Sequence, residues 1–314
     1  MSASATTATT PSRAHMRWRS AREFWRKFSK RRPGVAGVIV LIVFSILAIA
    51  PALFVGPLQT VTTAPGAHLE PPSLEFPMGT DALGRSVLNL TVWGTRISMV
   101  IGLLATIITV VLGALVGIVS GFVGGRTDQV LMRITDLFLV LPTFVLALVL
   151  APIILEIVGR DAEVAGIRVT LVVIVIVIGI TSWASTARVI RSQVLSVKER
   201  SFVDRARVIG AGGGHIMRRH LLPNVVNLII ANTVLVFAGA VLTESTLAFV
   251  GLGDPFQPSW GQILNDAETV GAPSLGAWWW VAGPASCIVL VVLAFTLVGN
   301  ALDDILNPRG QGRR

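Results

Sequence analysis

Charged side chains are rare in this sequence, and their largest cluster between two apolar runs lies between Val189 and Pro223. Seven residues of this segment are arginine or lysine, whereas apolar runs long enough to cross a bilayer stand on both sides of it. Loops this basic between two membrane spans lie on the cytoplasmic side. The cluster is therefore expected to face the cytoplasm, where its cations can steer and hold a partner.

The same segment is predicted to have a defined shape. Residues 201–209 are predicted to form a short helix, which the glycines at 210 and 212–214 interrupt. Residues 215–220 can form a second helix, and Pro223 occupies a position typical of a helix start. A helix, a break and a second helix form a shaped projection, which indicates a docking element. A solvated loop that binds nothing is the alternative.

Four polar residues elsewhere are further candidates. Glu244 lies near one end of an apolar run, and acidic residues inside membrane spans often line water-filled paths. It can equally serve packing, by hydrogen-bonding to a neighbouring helix. Asn232 in the same run is a second candidate for a pathway or gate. Asp81 and Arg85 are four residues apart and would pair on a helix, with contact to an external protein as the functional alternative.

Composition places these residues in a membrane protein. The 314 residues are 53% hydrophobic and 14% charged, and the mean hydropathy is +0.75. Soluble domains carry about 25% charged residues, and here the apolar residues form runs of about 20, the length that crosses a hydrocarbon core. The net charge of +9 could indicate nucleic-acid binding. Because the basic residues mark loops between spans, the lipid bilayer is the expected partner and nucleic acid is not.

Charge also predicts the orientation of an all-α chain with six membrane spans. The predicted spans are residues 35–55, 97–123, 130–155, 169–187, 225–250 and 278–298. With both termini in the cytoplasm, 22 of the 26 lysines and arginines fall on the cytoplasmic side. This distribution follows the positive-inside rule, and the reversed orientation contradicts it. The first span is expected to be an uncleaved helix, because the basic region before it is too long for a typical signal peptide.

The regions of the chain follow from these spans. They are a basic cytoplasmic tail (1–33), the first span (34–56), an external segment (57–96), a core of five spans that includes the cytoplasmic loop 189–223 (97–310) and a terminal tail (311–314). Within the first tail, residues 13–32 are predicted to form a helix on the membrane surface. Within the external segment, Asp81 is predicted to cap a short helix that lies along the outer interface.

Three further features concern helix packing. Glycines at four-residue spacing in the second span predict a close contact with another helix; they are Gly102, Gly113, Gly117 and Gly121. Pro142 is expected to kink the third span. Arg133 and Asp136 are three residues apart and are expected to form a structural ion pair.

The basic segment resembles the "EAA" cytoplasmic loop of bacterial ATP-binding-cassette importer permeases. That pattern has an acidic residue, two small residues, a glycine four residues on, and a hydrophobic-Leu-Pro end. The matching residues are Asp204-Arg205-Ala206, Gly210, Ile216 and Leu221-Leu222-Pro223. This sequence departs from the pattern with Arg205 in place of an alanine, with Asp204 in place of Glu, and with a glycine run that loosens the turn.

Other motifs resemble those of the C-type subunits of dipeptide and oligopeptide permeases. Residues 79–86 are similar to the GTDxLGRD signature, with Ser86 in place of its final Asp. Residues 242–253 and 258–261 resemble the fifth span and outer loop of these subunits, and residues 302–309 resemble their inner tail. The resemblance covers about residues 34–310.

The resemblance implies a type I importer permease fold and a set of partners in the bacterial inner membrane. They are a second, homologous permease subunit, cytoplasmic ATPase subunits that bind ATP and Mg²⁺, and an extracytoplasmic peptide-binding protein. The sequence has no GxxxxGK[ST] phosphate loop, so the chain is expected to be no enzyme, to bind no cofactor or metal, and to receive energy through its partners. Importers of nickel chelates, glutathione or opines have similar permeases and are alternatives, as is a self-sufficient secondary transporter or channel.

The resemblance also assigns roles to residues. Those implied in coupling to the ATPase are Ser201, Phe202, Asp204, Arg205, Ala206, Arg207, Gly210, Ala211, His215, Arg219, Leu222 and Pro223. Glu244 and Asn232 are the candidates for a pathway or gate. Asp81 and Arg85 are the candidates for contact with the binding protein.

Overall fold

The computed structural model describes residues 22, 25–159, 162–164 and 167–306, and these residues are mostly helical. In chain order the elements are α1 (Arg32–Ile49), α2 (Ala52–Val55), a 3₁₀ turn (Val61–Thr63), α3 (Val87–Val123), α4 (Gly125–Val140), α5 (Thr143–Val158), β1 (Glu163–Val164), β2 (Ile167–Arg168), α6 (Val169–Lys198), α7 (Ser201–Val208), α8 (Gly213–Ile216), a π-helical turn (Met217–Leu221), α9 (Leu222–Leu247), a second π-helical turn (Ala248–Leu252), α10 (Trp260–Val270) and α11 (Trp278–Leu306). The two short strands pair antiparallel, with Glu163 opposite Arg168.

Within the described residues, five helices are long and apolar enough to cross a membrane. They are α1, α3, α6, the continuous helix Gly213–Leu252 and α11. The pair α4 and α5 is bent by 89° and forms a sixth span if its two halves are counted together. This bend confirms the predicted kink at Pro142. Leu141 takes an extended conformation (ψ 126°), as the residue before a proline prefers.

The predicted glycine contact is confirmed and joins α3 to α6. A Cβ atom added at Gly117 would lie 2.5 Å from the carbonyl oxygen of Ala187, and one at Gly113 would lie 2.7 Å from Thr186. Only glycine leaves room for this approach of two helices, and close approach is what holds helices together in lipid. The α3–α6 pair is consequently the centre of the bundle, against which α9 and α4 also pack.

Two predictions on the segment before α3 are wrong. There is no separate interfacial helix, because α3 begins at Val87 and continues without a break to Val123. Asp81 accordingly caps a turn and not a helix. No proline interrupts residues 87–123, and a helix that enters lipid keeps its backbone hydrogen bonds by continuing.

The predicted pair between Arg133 and Asp136 is also wrong. Asp136 pairs across the bundle with Arg188 of α6, at 2.5 Å between carboxylate and guanidinium, and Arg133 forms no ion pair with the residues that the structure describes.

Helices α6 and α9 extend beyond the predicted spans at the end of the bundle that carries residues 199–221, here called the basic end. Helix α6 runs on to Lys198, so only residues 199–221 project. Pro223 is the second residue of α9, at the helix start predicted for it, although the helical path runs without a break from Gly213 to Leu252. Proline cannot donate a hydrogen bond, and the helix widens into a π-helical turn just before it.

Both ends of the described chain lie at the basic end. Arg31 before α1 pairs with Asp304 of α11 at 3.2 Å, and Phe28 packs with Val298 and Ala301. The other end, here called the tryptophan end, carries Trp278–Trp280 together with residues 57–86 and α10. Most of the predicted surface helix at 13–32, and residues 307–314, lie outside the described residues.

Candidate functional site

Residues 199–221 at the basic end, here called the projection, have the predicted helix–break–helix shape. Helix α7 ends at Val208, and two residues later Gly210 has a φ of +87°, a left-handed conformation that favours glycine. The Gly210 N–H donates to the carbonyl of Arg207 at 2.9 Å, and the Ala211 N–H donates to that of Ala206 at 2.9 Å. These two bonds form a Schellman motif. Ala206 and Gly210, the small residues of the EAA-like pattern, are therefore both parts of the cap that ends α7.

The projection is packed and is not a tether. Val203, Ile216 and Leu221 are buried in a small core that they share with Val197 of α6. The Phe202 ring lies 5.9 Å from the His220 ring, between centroids. The glycine run does not loosen this unit, because residues 213–214 are already helical.

Sequence reasoning missed the two most exposed apolar residues of the projection. Val208 is 87% exposed and Ile209 is 85% exposed, at the end of a helix whose other exposed residues are mostly polar. Asp204 and Arg207 lie beside them and pair at 3.2 Å. The available signal was two consecutive β-branched residues directly before the predicted break. We call Val208 and Ile209 the apolar tip.

An ionic cluster joins the base of the projection to three helices. The Arg191 guanidinium donates to both carboxylate oxygens of Asp128, at 2.6 and 2.7 Å, and the Ser120 hydroxyl donates to the same carboxylate. Lys198, the last residue of α6, donates to the carbonyl of Phe122 at 2.8 Å. A bidentate guanidinium–carboxylate pair fixes orientation as well as distance. The cluster thus ties α3, α4 and α6 together directly beside the projection.

A polar groove runs between α5, α6 and α9. The cavity measures about 370 Å³ and is lined by Thr109, Thr143, Ser182, Ser185, Asn232, Leu235, Val236, Gly239, Ala240 and Thr243. Of the two residues predicted for a pathway, Asn232 lines this groove, and its side chain donates to Thr186 at 3.1 Å. Polar groups at the level of membrane spans face protein or water and not lipid. The groove therefore marks a face that is covered by protein or filled with water.

Glu244, the other pathway candidate, is 1% exposed and does not line the groove. Its carboxylate accepts hydrogen bonds from the hydroxyls of Ser98, Ser245 and Ser259. Those of Ser98 and Ser259 in turn accept from the backbone N–H groups of Trp260 and Gln262, at 3.2 and 3.3 Å. Glu244 thus ties α9 to α3 and to the start of α10. This placement matches the packing alternative.

At the tryptophan end, Asp81 and Arg85 form the predicted pair, but inside a turn. Asp81 Oδ2 lies 2.7 Å from Arg85 Nε, and Asp81 Oδ1 accepts from the backbone N–H groups of Leu83 and Arg85 at 2.9 and 2.8 Å. Asp81 is fully buried, so of the pair only Arg85 reaches the surface. Ser86 caps α3 by accepting from the Asn89 N–H at 3.4 Å, a role that the Asp of the related signature can also fill.

The carboxylate of Asp266 lies near Arg85 and makes the free energy of unfolding depend on pH. Burial raises the pKa of the Asp266 carboxyl above its ordinary value, against the opposing hydrogen bond from Gln262 and the charge of Arg85. The folded state therefore disfavours the ionised form, and this cost grows as the pH rises through the unfolded and then the folded pKa. We expect Asp266→Asn, which keeps an acceptor for Gln262, to raise the thermal midpoint at neutral pH.

The gain in thermal midpoint should shrink toward zero as the pH falls below the ordinary pKa of an aspartate, because the wild-type carboxyl is then protonated in both the folded and the unfolded state. Thermal unfolding of detergent-solubilised protein across this range checks the prediction. Glu75→Gln is the control, since Glu75 is exposed and has no hydrogen-bond partner among the described residues. An equal gain at every pH would contradict the account.

The chain is similar to proteins of known classes over nearly its whole length. Residues 113–311 match the family described as binding-protein-dependent transport system inner membrane component, and residues 20–72 match the N-terminal TM domain of oligopeptide transport permease C. It is 33% identical to the dipeptide transport system permease protein DppC of Bacillus subtilis (strain 168), over 91% of this chain and 84% of the relative.

Two further relatives show the same extent of similarity. The oligopeptide transport system permease protein OppC of Bacillus subtilis (strain 168) is 31% identical to this chain, and the similarity covers 90% of this chain and 88% of the OppC sequence. The DppC protein of Alkalihalophilus pseudofirmus is 32% identical to this chain, and the similarity covers 92% of this chain and 90% of that DppC sequence. Because the first family match covers more than half of its residues, the chain belongs to the binding-protein-dependent transport system inner membrane components and is a multi-pass protein of the bacterial inner membrane.

Proposed function

We propose that this chain is the transmembrane permease subunit of an ATP-driven importer of di- and oligopeptides, with the basic end in the cytoplasm. The names of the dipeptide and oligopeptide permeases that it resembles support the cargo. The concentration of lysine and arginine at the basic end supports the orientation. ATP and Mg²⁺ are bound by partner subunits, since the sequence lacks a phosphate loop.

The projection 199–221 is the proposed contact with the ATPase subunit. The observation that carries this proposal is the exposure of Val208 and Ile209, which lie beyond the spans, where lipid does not cover them. Apolar side chains held out at the end of a rigid helix are typical anchors for a pocket on a partner. The neighbouring charges of Asp204, Arg205 and Arg207 favour correct orientation of the docked helix.

Two further partners complete the proposal. A second, homologous permease chain covers the face that carries the polar groove, because a groove lined by hydroxyl groups is unfavourable against lipid. At the tryptophan end an extracytoplasmic peptide-binding protein contacts the surface around Arg85, which the buried Asp81 holds in place.

Removing the apolar tip tests the coupling. We expect the double variant Val208→Ser, Ile209→Ser to lower the affinity for the ATPase subunits about 100-fold or more, because burial of each side chain contributes about 1.5–3 kcal/mol. Copurification of the ATPase from detergent and ATP hydrolysis stimulated by the loaded binding protein are the measurements. The matched control for copurification is Val61→Ser, Leu74→Ser, which removes two exposed apolar side chains at the other end and should leave the amount of copurified ATPase unchanged.

Normal copurification and stimulation in the double variant would refute the proposed contact.

The importer class itself is tested by uptake of a labelled dipeptide into proteoliposomes that contain the complete complex. Uptake by this chain alone, with no ATPase subunit present, would instead identify a self-sufficient transporter.

A further inference from the structure

We infer that the polar groove between α5, α6 and α9 holds the main chain of the transported peptide through uncharged hydroxyl and amide groups, and that it does not read side-chain charge. This inference rests on the proposed function and adds to it the part of the cargo that the permease contacts.

Three hydroxyl groups of the groove differ from many others in the spans. Elsewhere a hydroxyl commonly donates to the carbonyl four residues earlier, as Thr106 does to Gly102 at 2.6 Å and Thr233 to Ile229 at 2.7 Å. The hydroxyls of Thr143, Ser182 and Ser185 have no hydrogen-bond partner among the described residues. Three unpaired hydroxyls on one surface of a membrane protein are available to a ligand.

The positions of these residues follow from helix geometry. Ser182 and Ser185 are three residues apart on α6 and so lie on one face. Asn232, Val236 and Gly239 are spaced four and three apart on α9, which also places them on one face. Helix α5 contributes Thr143 at its first position, directly after the bend. The bend at Pro142 therefore brings a third helix to the groove.

The groups of the groove complement a peptide main chain. Each residue of a peptide offers one N–H donor and one carbonyl acceptor. The unpaired hydroxyls can donate to its carbonyls. Thr243 already donates, to the carbonyl of Gly239 at 2.9 Å, so its oxygen remains as an acceptor for an N–H group of the peptide.

None of the residues that line the groove is charged. A lysine or aspartate there would favour cargo of one sign and repel the other, since electrostatic interactions are strong away from water. Gly239 widens the groove, because a Cβ atom added there would meet nothing within 4 Å. Together these features fit peptides that share a backbone and differ in side chains.

Inserting one charge tests whether the groove of the wild type accepts peptides irrespective of side-chain charge. In proteoliposomes with the complete complex, uptake of lysine-, glutamate- and alanine-containing dipeptides is measured and normalised to their occupancy of the binding protein. The wild type should transport the three at equal normalised rates. Ser185→Asp should lower uptake of the glutamate peptide about tenfold relative to the lysine peptide, whereas the matched neutral variant Ser185→Asn should not.

A second pair of variants tests the contact with the main chain. Ser182→Ala plus Ser185→Ala should lower uptake of the alanine dipeptide about tenfold and should remove most of the difference between it and its thioamide analogue, whose sulfur is a weaker hydrogen-bond acceptor than the carbonyl oxygen. The control Ser45→Ala plus Ser286→Ala removes two hydroxyls that donate to carbonyls of their own helices. ATP hydrolysis stimulated by the binding protein should persist in all variants, which shows that they fold and assemble.

Equal loss of all three dipeptides in Ser185→Asp, or unchanged uptake in the double alanine variant, would overturn the inference. Both results presuppose that the wild-type complex transports dipeptides. If it transports none, the proposed function fails, and the two failures are therefore distinguishable.

Discussion

Replacing Gly210 with proline is expected to abolish ATP hydrolysis stimulated by the binding protein, while the protein still inserts into the membrane. Proline fixes φ near −65°, whereas Gly210 has a φ of +87° and donates its N–H to Arg207. The variant therefore loses the helix cap, and the apolar tip beside it changes direction. The spans are unaffected because residue 210 lies outside them. We expect stimulation to fall to the unstimulated rate.

Alanine variants of neighbouring glycines provide the controls. Gly210→Ala keeps the N–H but strains a left-handed residue by about 1–2 kcal/mol, so stimulation should be reduced and not lost. Gly214→Ala should be neutral, because Gly214 has a right-handed conformation and open space around its Cβ position. Asp204→Lys reverses a charge beside the tip and should also abolish stimulation. Normal stimulation in both Gly210→Pro and Asp204→Lys would refute the assignment of the projection.

Glu244→Ala is expected to cause the largest loss of stability among the substitutions considered. The change leaves the buried hydroxyls of Ser98 and Ser259 without an acceptor, and each unsatisfied buried group costs about 1–3 kcal/mol. The cavity left by the side chain adds to this cost. We expect a destabilisation of about 3 kcal/mol or more, measured by thermal unfolding in detergent.

The glutamine variant separates packing from a pathway role. Glu244→Gln keeps the volume and one acceptor oxygen, so most of the stability should remain. If Glu244 acts through packing, uptake should follow the folded fraction in both variants. A Glu244→Gln protein that is fully folded and assembled, yet transports nothing, would show that the charge itself serves transport.

Much of the fold could be predicted because lipid leaves few choices to a backbone. A chain that crosses a bilayer must satisfy its hydrogen bonds within each helix, so the lengths of the apolar runs identified the spans. The kink at Pro142 and the break at Gly210 were predictable because each follows from the conformational preferences of one residue. The glycine stripe of α3 was similarly predictable from its spacing.

The errors came from the limits of local patterns. Nothing in residues 81–93 distinguishes a short interfacial helix from the first turns of a long one, and α3 is the long one. Asp136 had a plausible partner three residues away, but its partner is Arg188, 52 residues later in the chain. Val208 and Ile209 were overlooked because their exposure depends on how α7 packs against the rest of the projection.

The sequence by itself determined the membrane class, the approximate spans, the family resemblance and the position of the helix cap at Gly210. Only the tertiary structure decided that Asn232 lines a groove while Glu244 is enclosed by serines. It also decided that Thr143, directly after the bend at Pro142, lines the same groove as Ser182 and Ser185. The physical reason is that backbone bonds in a spanning helix are local, whereas the partner of a side chain depends on how each helix is rotated against its neighbours.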